Sequence, residues 1–263
     1  MTSYRLAVVG GGNMGAALVG GLLQAGWSAA DLAVVEVLPA RAVQLREMFP
    51  GVAVTDTIPG CSAALIAVKP YDVAAACAAA AAAGATRLLS IAAGVPLAAL
   101  QEAAGPAVAV VRSMPNTPAL VGQGAAGIAG GATADADDLA WAEEILGSVG
   151  IVVRVPEHQL DAVTGLAGSG PAYLFLVAEA LMDAGVLAGL SRADSEALTT
   201  QLLVGSAALL SERGDPARLR AQVTSPGGTT AAGVRVLEEH GVRSAFLEAV
   251  MAATKRSHEL GNH

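Results

Sequence analysis

The chain has 263 residues, which is long for one ordinary domain and comfortable for two. Hydrophobic residues make up 54% of it and aromatic residues only 3%, so a buried core must be built from alanine, valine and leucine. The formal net charge of −8 argues against a nucleic acid or an anionic membrane as partner, because either would need a basic face.

The N-terminal segment has the pattern of a dinucleotide-binding unit. An apolar run over residues 4–9 predicts a strand, and a glycine-rich turn follows it directly. A helix is predicted from about residue 16 to 25, and a second strand over residues 32–35 ends at Glu36. This acid follows Gly15 by 21 residues, a spacing that is typical of dinucleotide-binding units.

Each glycine of this turn has a mechanical role in such a unit. Gly10 allows a tight turn, Gly12 lets the backbone approach a pyrophosphate, and Gly15 allows close packing of helix on strand. The free N–H groups at the helix start, at Asn13 and Met14, would face the phosphates. A purely structural turn explains three spaced glycines at a strand end poorly.

The alternation of strand and helix patterns continues through the first half. Further strands are predicted at residues 64–68, 87–91 and 107–112, with weaker ones at 125–129 and 150–155. We therefore expect an α/β Rossmann domain with a mostly parallel, doubly wound sheet. Ligands of such sheets bind beyond the carboxyl ends of the strands. The candidate cofactor residues there are Val68, Lys69, Pro70, Ala92, Ala93, Gly94 and Asn116. It is equally possible that Gly and Pro in these segments only form ordinary connecting loops with no ligand.

The second half contains only helical patterns. They cover residues 171–184, 192–212, 228–239 and 243–259, so we expect a dinucleotide-binding domain over residues 1–158 and an all-α domain over 159–263. A helical domain of about 100 residues with a large apolar face is marginal by itself. We therefore expect at least a dimer.

Other sequence features indicate a soluble cytoplasmic protein. No run reaches the roughly 18 strongly apolar residues of a membrane-spanning helix, and the glycines at 10–12 interrupt the weak resemblance to a signal peptide. The two cysteines, Cys61 and Cys77, suit buried thiols in a reducing compartment better than a disulfide. We expect no metal site.

One turn in the second half has the features of an anion site. Ser225 is a favoured helix N-cap and Pro226 a favoured first helical residue, so the sequence predicts that a helix begins here. Gly227 and Gly228 leave backbone N–H groups uncovered, and Thr229 and Thr230 add hydroxyls. The combination suits a carboxylate attached to a small polar group. A well-capped helix with no ligand is the alternative, which the double glycine disfavours because it weakens a helix.

Six blocks of sequence together carry a resemblance to a known family. They are GGGNMG at 10–15, AVKP at 67–70, SIAAGV at 90–95, RSMPNTPALV at 112–121, GLAGSGPAY at 165–173 and VTSPGGTTAAGVRVLEEHGVRSAF at 223–246. Over nearly its full length the chain resembles the pyrroline-5-carboxylate reductases, of which SPGGTT followed by a helix is the most specific signature.

The resemblance implies a Rossmann domain, a helical dimerisation domain and active sites near the subunit interface, with assembly often extended to larger rings. The implied reaction is reduction of 1-pyrroline-5-carboxylate to L-proline by NADH or NADPH, in proline biosynthesis. By resemblance, Ser225 and the backbone of Thr229 and Thr230 hold the substrate carboxylate, and the Thr230 hydroxyl, the candidate catalytic group, reaches the ring nitrogen. Lys69, Pro70, Ala93 and Asn116 would lie along the cofactor.

The residues after the second strand depart from relatives that use NADPH, which often have polar residues there. Glu36 can accept a hydrogen bond from a ribose 2′-hydroxyl and should repel a 2′-phosphate. Val37 offers that phosphate no partner, although Arg41 lies nearby. We therefore expect NADH to be preferred.

Three other functions remain open at this stage. A β-hydroxyacid dehydrogenase would need a lysine in the helix after Pro171, but the chain has only Lys69 and Lys255. A non-catalytic dinucleotide-binding sensor would not need the anion site. A reductase of a related cyclic imino acid would keep the same carboxylate anchor.

Overall fold

The computed structural model describes residues 3–261, which form two compact units. The first unit comprises the residues up to Ser169 together with those from Ala252 onward, and the second comprises Gly170–Met251. The sequence-based division into domains at residues 158 and 159 stays a prediction about which parts fold independently.

The first unit is built on one eight-stranded sheet with the order β3-β2-β1-β4-β5-β6-β7-β8. All neighbours pair in parallel except β6 and β7, so the predicted mostly parallel, doubly wound sheet is confirmed. The strands are β1 Leu6–Val9, β2 Leu32–Val35, β3 Ala53–Thr55, β4 Ala63–Ile66, β5 Arg87–Ser90, β6 Ala109–Met114, β7 Gly124–Gly130 and β8 Gly150–Arg154. The helices of this unit are α1 Asn13–Gln24, α2 Pro39–Met48, α3 Val73–Ala82, α4 Leu97–Ala104, α5 Ala136–Gly147 and α6 Leu160–Val163.

Helices cover both faces of this sheet, which explains why its strands are apolar throughout. In β1, Leu6 and Val8 belong to one buried cluster, whereas Ala7 and Val9 belong to a second cluster on the opposite face. Consecutive strand residues point to opposite faces, so a strand buried on both sides has no polar position. Small side chains fill much of the second cluster, as the shortage of aromatic residues predicts.

The chain order of the strands defines where a ligand can bind. From β1 the chain proceeds outward through β2 and β3, and then returns to the other side of β1 at β4. The crevice between β1 and β4 is therefore the topological switch point of the sheet, which is the usual ligand site in this class of fold.

The second unit contains only helices, and much of its apolar surface is exposed. The helices are α7 Gly170–Leu187, α8 Arg192–Arg213, α9 Pro216–Gln222, α10 Thr229–Glu239 and α11 Val242–Gly261, the last of which ends within the first unit. None of the residues of α7 is buried, and Phe175 and Leu176 are 65% and 66% exposed. Such a surface indicates contact with another protein chain.

One segment is more apolar than the sequence analysis expected. The helical stretch Glu157–Leu187 is long and apolar enough to span a membrane, with a mean hydropathy of 1.4 in its best window. The chain still has no uninterrupted run of about 18 strongly apolar residues there, since Glu179 and Asp183 interrupt it, and the segment qualifies by its mean hydropathy alone. A single helix of this kind is weak evidence for membrane insertion.

Both cysteines are buried as free thiols, in agreement with the sequence analysis. Burial raises the pKa of both thiols, and raises that of Cys77 to about 11. Neither thiol therefore ionises near neutral pH.

Candidate functional site

Loops from five parallel strands meet at the carboxyl edge of the sheet. The strand ends are in register, since Val9 is paired with Val35 and with Ile66, and Ile66 with Ser90. The segments predicted to bind cofactor follow these ends directly. The structure thus brings the loop segments at 10–15, 36, 68–70, 92–94 and 116 to one edge of the first unit.

The glycine-rich turn has the geometry expected of a dinucleotide site. Gly10 has a φ of +110°, and a Cβ atom there would lie 2.6 Å from the Ala67 carbonyl oxygen beyond β4. A Cβ atom on Gly15 would overlap the carbonyl oxygen of Gly10, so α1 packs too closely on the turn for any side chain. Gly12 has no atom within 4 Å of its Cβ position, which leaves its backbone open to a ligand. The helix begins at Asn13, and no side chain caps it at Gly12.

Glu36 projects toward this turn from the end of β2. Its Oε1 accepts a hydrogen bond from the Leu38 amide at 2.9 Å, and its Oε2 lies 3.0 Å from the Cβ position of Gly11. Arg41 reaches the same turn from α2, where its Nε donates to the Gly11 carbonyl at 2.7 Å. Its Nη1 donates to Gln44 at 3.0 Å. A carboxylate and a guanidinium therefore flank the glycine-rich turn on the β2 side.

The remaining candidate cofactor residues differ in how much of each side chain is available. Lys69 and Pro70 are exposed beyond β4, and Ala93 is exposed beyond β5, whereas Val68 and Gly94 are half-buried and Ala92 is buried. Asn116 is only 9% exposed, and its amide joins the Ala167 carbonyl at 3.0 Å to the Ala125 amide at 2.8 Å. The Asn116 side chain therefore holds the loop after β6 against its neighbours. Only its second amide N–H and the second lone pair of its oxygen remain for a hydrogen bond to a cofactor.

In the second unit the Ser225 segment forms a turn and not the first residues of a helix. The Gly228 amide donates to the Ser225 carbonyl at 3.0 Å, and Gly227 has a φ of +69°, which with Pro226 gives the pattern of a type II β-turn. The helix α10 begins at Thr229 with Gly228 as N-cap, so the predicted N-cap role of Ser225 was wrong. Proline fixes the same φ in a turn as at a helix start, so the sequence did not distinguish the two.

The turn nevertheless gathers the predicted anion-binding groups. A Cβ atom on Gly228 would overlap the Ser225 hydroxyl oxygen, so glycine is needed for that hydroxyl to reach the helix start. The first-turn amides of α10, among them those of Thr229 and Thr230, have no intrahelical partner. A hydroxyl and free amides at one helix start form a suitable site for a carboxylate.

One contact outside the candidate residues would have been hard to find from sequence. Asp161 accepts a hydrogen bond from the Ser257 hydroxyl at 2.7 Å, which holds the end of α11 on the first unit. Among residues 3–261, no three His, Cys, Asp or Glu side chains group as a metal site would require.

Comparison with known protein families matches both parts of the chain. A model described as pyrroline-5-carboxylate reductase dimerisation matches residues 157–260, and one described as NADP oxidoreductase, coenzyme F420-dependent, matches residues 5–94. The chain is 40% identical to a pyrroline-5-carboxylate reductase of Corynebacterium melassecola, over 98% of this chain and 99% of that one. It is 44% identical to a Synechocystis protein of the same name, with the same coverage.

Solved structures give the same result over the full length. The structure of a pyrroline-5-carboxylate reductase from Coxiella burnetii superposes with a TM-score of 0.92 at 34% identity, and covers 99% of both chains. The Plasmodium falciparum pyrroline carboxylate reductase, solved with NADP bound, gives a TM-score of 0.83 at 29% identity, again over 99% of both chains.

Proposed function

The chain belongs to the pyrroline-5-carboxylate reductase family, and we propose that it reduces 1-pyrroline-5-carboxylate to L-proline, with NADH as the preferred hydride donor, in cytoplasmic proline biosynthesis. The observation that supports this most directly is the pair of sites that the chain contains. One is a glycine-rich turn open at Gly12, and the other is the Ser225 turn at the start of α10.

The chemistry asked of the protein is modest. A nicotinamide cofactor, when bound, would supply a hydride to the carbon of the protonated imine, and the π electron pair of the C=N bond would become the lone pair of the ring nitrogen. Binding of the substrate carboxylate by Ser225 and the amides of α10 fixes the ring, which leaves the Thr230 hydroxyl to hydrogen-bond the nitrogen. Orientation of the two reactants and exclusion of water supply most of the catalysis. A threonine hydroxyl is too weak an acid to protonate the imine by itself, so the proton arrives with the substrate.

The proposed cofactor preference rests on Glu36. Its carboxylate lies against the glycine-rich turn, where the adenine ribose of a dinucleotide binds in this fold. A 2′-phosphate placed there would meet this negative charge. Arg41 carries a positive charge that would instead attract a 2′-phosphate, but its Nε and Nη1 already donate hydrogen bonds to Gly11 and Gln44.

The second unit indicates a homo-oligomer, because the dimerisation model covers it and α7 has no buried residue. We propose a homodimer with active sites near the subunit interface, with larger rings as a further level of assembly. The partner subunit would then cover the exposed apolar side chains of α7.

The test is a steady-state assay of the purified protein with racemic pyrroline-5-carboxylate, in which loss of nicotinamide absorbance is followed and proline is identified. We expect kcat/KM with NADH to exceed that with NADPH. Glu36→Gln should lower the ratio of kcat/KM with NADH to kcat/KM with NADPH. Glu47→Gln, which neutralises an exposed acid on α2, should leave this ratio unchanged. Equal kcat/KM for both cofactors in the wild type would refute the preference. Turnover of piperideine carboxylates alone would identify a related imino acid as substrate, and cofactor binding without any turnover would favour a sensor.

A further inference from the structure

A cavity of about 420 Å³ lies in the first unit, on the β4–β5 side of its carboxyl edge. The loops after β4 and β5 form one wall, which includes Pro70 and Gly94. The last turns of α11 form the opposite wall with Arg256, Ser257 and Leu260. The cavity is thus shared between predicted cofactor loops and a C-terminal segment to which the sequence analysis gave no role.

A buried polar contact fixes this C-terminal segment in place. The Ser257 hydroxyl, in a residue only 9% exposed, donates to Asp161 Oδ1 at 2.7 Å. The other oxygen of the same carboxylate lies 3.3 Å from Nδ1 of His258. A short bond from a buried hydroxyl to a carboxylate belongs to the stronger class of hydrogen bonds, so Asp161 is a firm anchor for the end of α11.

Backbone packing brings the same segment against the loop after β5. A Cβ atom on Gly94 would lie 3.8 Å from the Leu260 carbonyl oxygen, and one on Gly261 would lie 3.5 Å from the Gly94 carbonyl oxygen. These are ordinary van der Waals distances. The conformation of the loop at Gly94, which has a φ of +76°, is therefore supported by the end of α11.

The position of the cavity indicates which end of a dinucleotide it receives. The pyrophosphate binds at the start of α1, above β1, and the adenine ribose binds on the β2 side beside Glu36. The other half of the molecule must then extend over β4 and β5, because these strands lie on the opposite side of β1. Apolar surface, from residues such as Pro70 and Leu260, makes up most of the cavity lining. Its polar members are Thr164, Ser169, Arg256 and Ser257. The walls together suit a flat ring that carries a polar amide.

We propose that the last turns of α11 are part of the dinucleotide site. Arg256, Ser257 and Leu260 wall the cavity that receives the nicotinamide–ribose end of the cofactor, and Asp161 is the positioning residue that holds them there. The assignment rests on the proposed function, since it takes a nicotinamide dinucleotide as the ligand.

The test measures NADH binding directly, without an imino acid. Fluorescence titration should give a dissociation constant for NADH about 5- to 20-fold higher in Asp161→Ala and in Ser257→Ala than in the wild type, the size expected for losing one well-placed polar contact. The double variant should be no weaker than either single variant, because both remove the same contact. Asp161→Asn should retain most of the affinity, since its amide oxygen still accepts from Ser257. Ser206→Ala, at an exposed serine on α8, is the matched control.

Two further measurements separate positioning from general destabilisation. In steady-state kinetics, Asp161→Ala should raise KM for NADH by a larger factor than it lowers kcat, whereas general loss of folded enzyme would lower kcat alone. In the unaltered protein, NADH should slow amide hydrogen exchange across residues 253–260.

An unchanged dissociation constant in a folded Asp161→Ala variant would overturn the proposal, as would unchanged exchange across residues 253–260 in the wild type. If the alanine variants do not fold, the exchange measurement on the unaltered protein still decides between the two outcomes. Failure of the wild type to reduce any imino acid would refute the proposed function but would leave these NADH measurements valid.

Discussion

Two alanine variants separate the structural role of the glycine-rich turn from its role in binding. Gly15→Ala tests the close packing of α1 on the turn, and Gly12→Ala tests the access of a ligand to the backbone. A methyl group on Gly15 would overlap the Gly10 carbonyl oxygen, and a Cβ atom there would also lie 3.4 Å from Val8 Cγ1. Because the overlapped atom is backbone, it cannot rotate away, and α1 must move by roughly 1 Å. Overpacking of this kind costs about 1–3 kcal/mol, and we expect the upper end.

The matched variant Gly12→Ala should leave the fold almost unchanged. No atom lies within 4 Å of its Cβ position, and its φ of −64° suits alanine. The net cost should stay within about 0.5 kcal/mol, because a weaker N-cap is offset by lower entropy of the unfolded chain. A methyl group there would, however, keep a pyrophosphate away from the α1 amides. Loss of one charge-assisted hydrogen bond of about 1.5–3 kcal/mol weakens NADH binding about 10- to 150-fold.

Thermal unfolding and NADH titration of both variants test this reasoning. Gly15→Ala should lower Tm by about 6–12 °C, from about 2–4 °C per kcal/mol for a chain of this size. Gly12→Ala should keep its Tm and lose its affinity for NADH. If Gly12→Ala bound NADH as tightly as the wild type, the pyrophosphate would not contact this turn. An unshifted Tm in Gly15→Ala would refute the packing argument.

Three further predictions concern the oligomer, a buried thiol and a buried amide. Leu176→Glu, at a position 66% exposed on α7, should shift the mass measured by light scattering toward the 25.9 kDa of one chain, and an unchanged mass would exclude this face from the interface. The neutral thiol of Cys77 is favoured by folding, so the free energy of unfolding should fall as pH rises from about 9 to about 11, and Cys77→Ala should remove this component of the titration. Asn116→Ala leaves two backbone partners without their hydrogen bonds and should lower stability in urea by about 2–4 kcal/mol, whereas Gln123→Ala, at an exposed site in the same loop, should have almost no effect.

Local patterns were sufficient to predict most of the first unit. The continuous apolar runs predict the buried strands, and the glycine spacing and Glu36 predict the dinucleotide-binding turn. Each of these signals lies within a short stretch of sequence. The three-residue edge strand β3 was missed because its half-buried side chains show no period. Helix α2 was missed because its few buried residues, Ala42 and Leu45, do not mark a face in the sequence. The seven-residue α9 is too short to show a period at all.

The candidate sites were predictable only where a backbone requirement selects a particular residue type. Gly10, Gly15 and Gly228 stand where a side chain would overlap backbone or hydroxyl oxygens, so their spacing carried a signal. The contact between Asp161 and Ser257 joins two common residue types separated by 96 positions. Nothing in the local sequence of either marks them as partners.

The return of the chain to the first unit through its last helix has a consequence for biosynthesis. The ribosome completes all eight strands by Arg154, but the C-terminal wall of the cavity is made from Ala252 onward, after the whole second unit. At about 5–20 residues per second, the segment between Arg154 and Ala252 takes on the order of 5–19 s to synthesise. During that interval the nascent sheet is present without Ser257, so Asp161 lacks its partner until the last turn of α11 leaves the exit tunnel. A fragment that ends at Ser169 would remain permanently in that incomplete state.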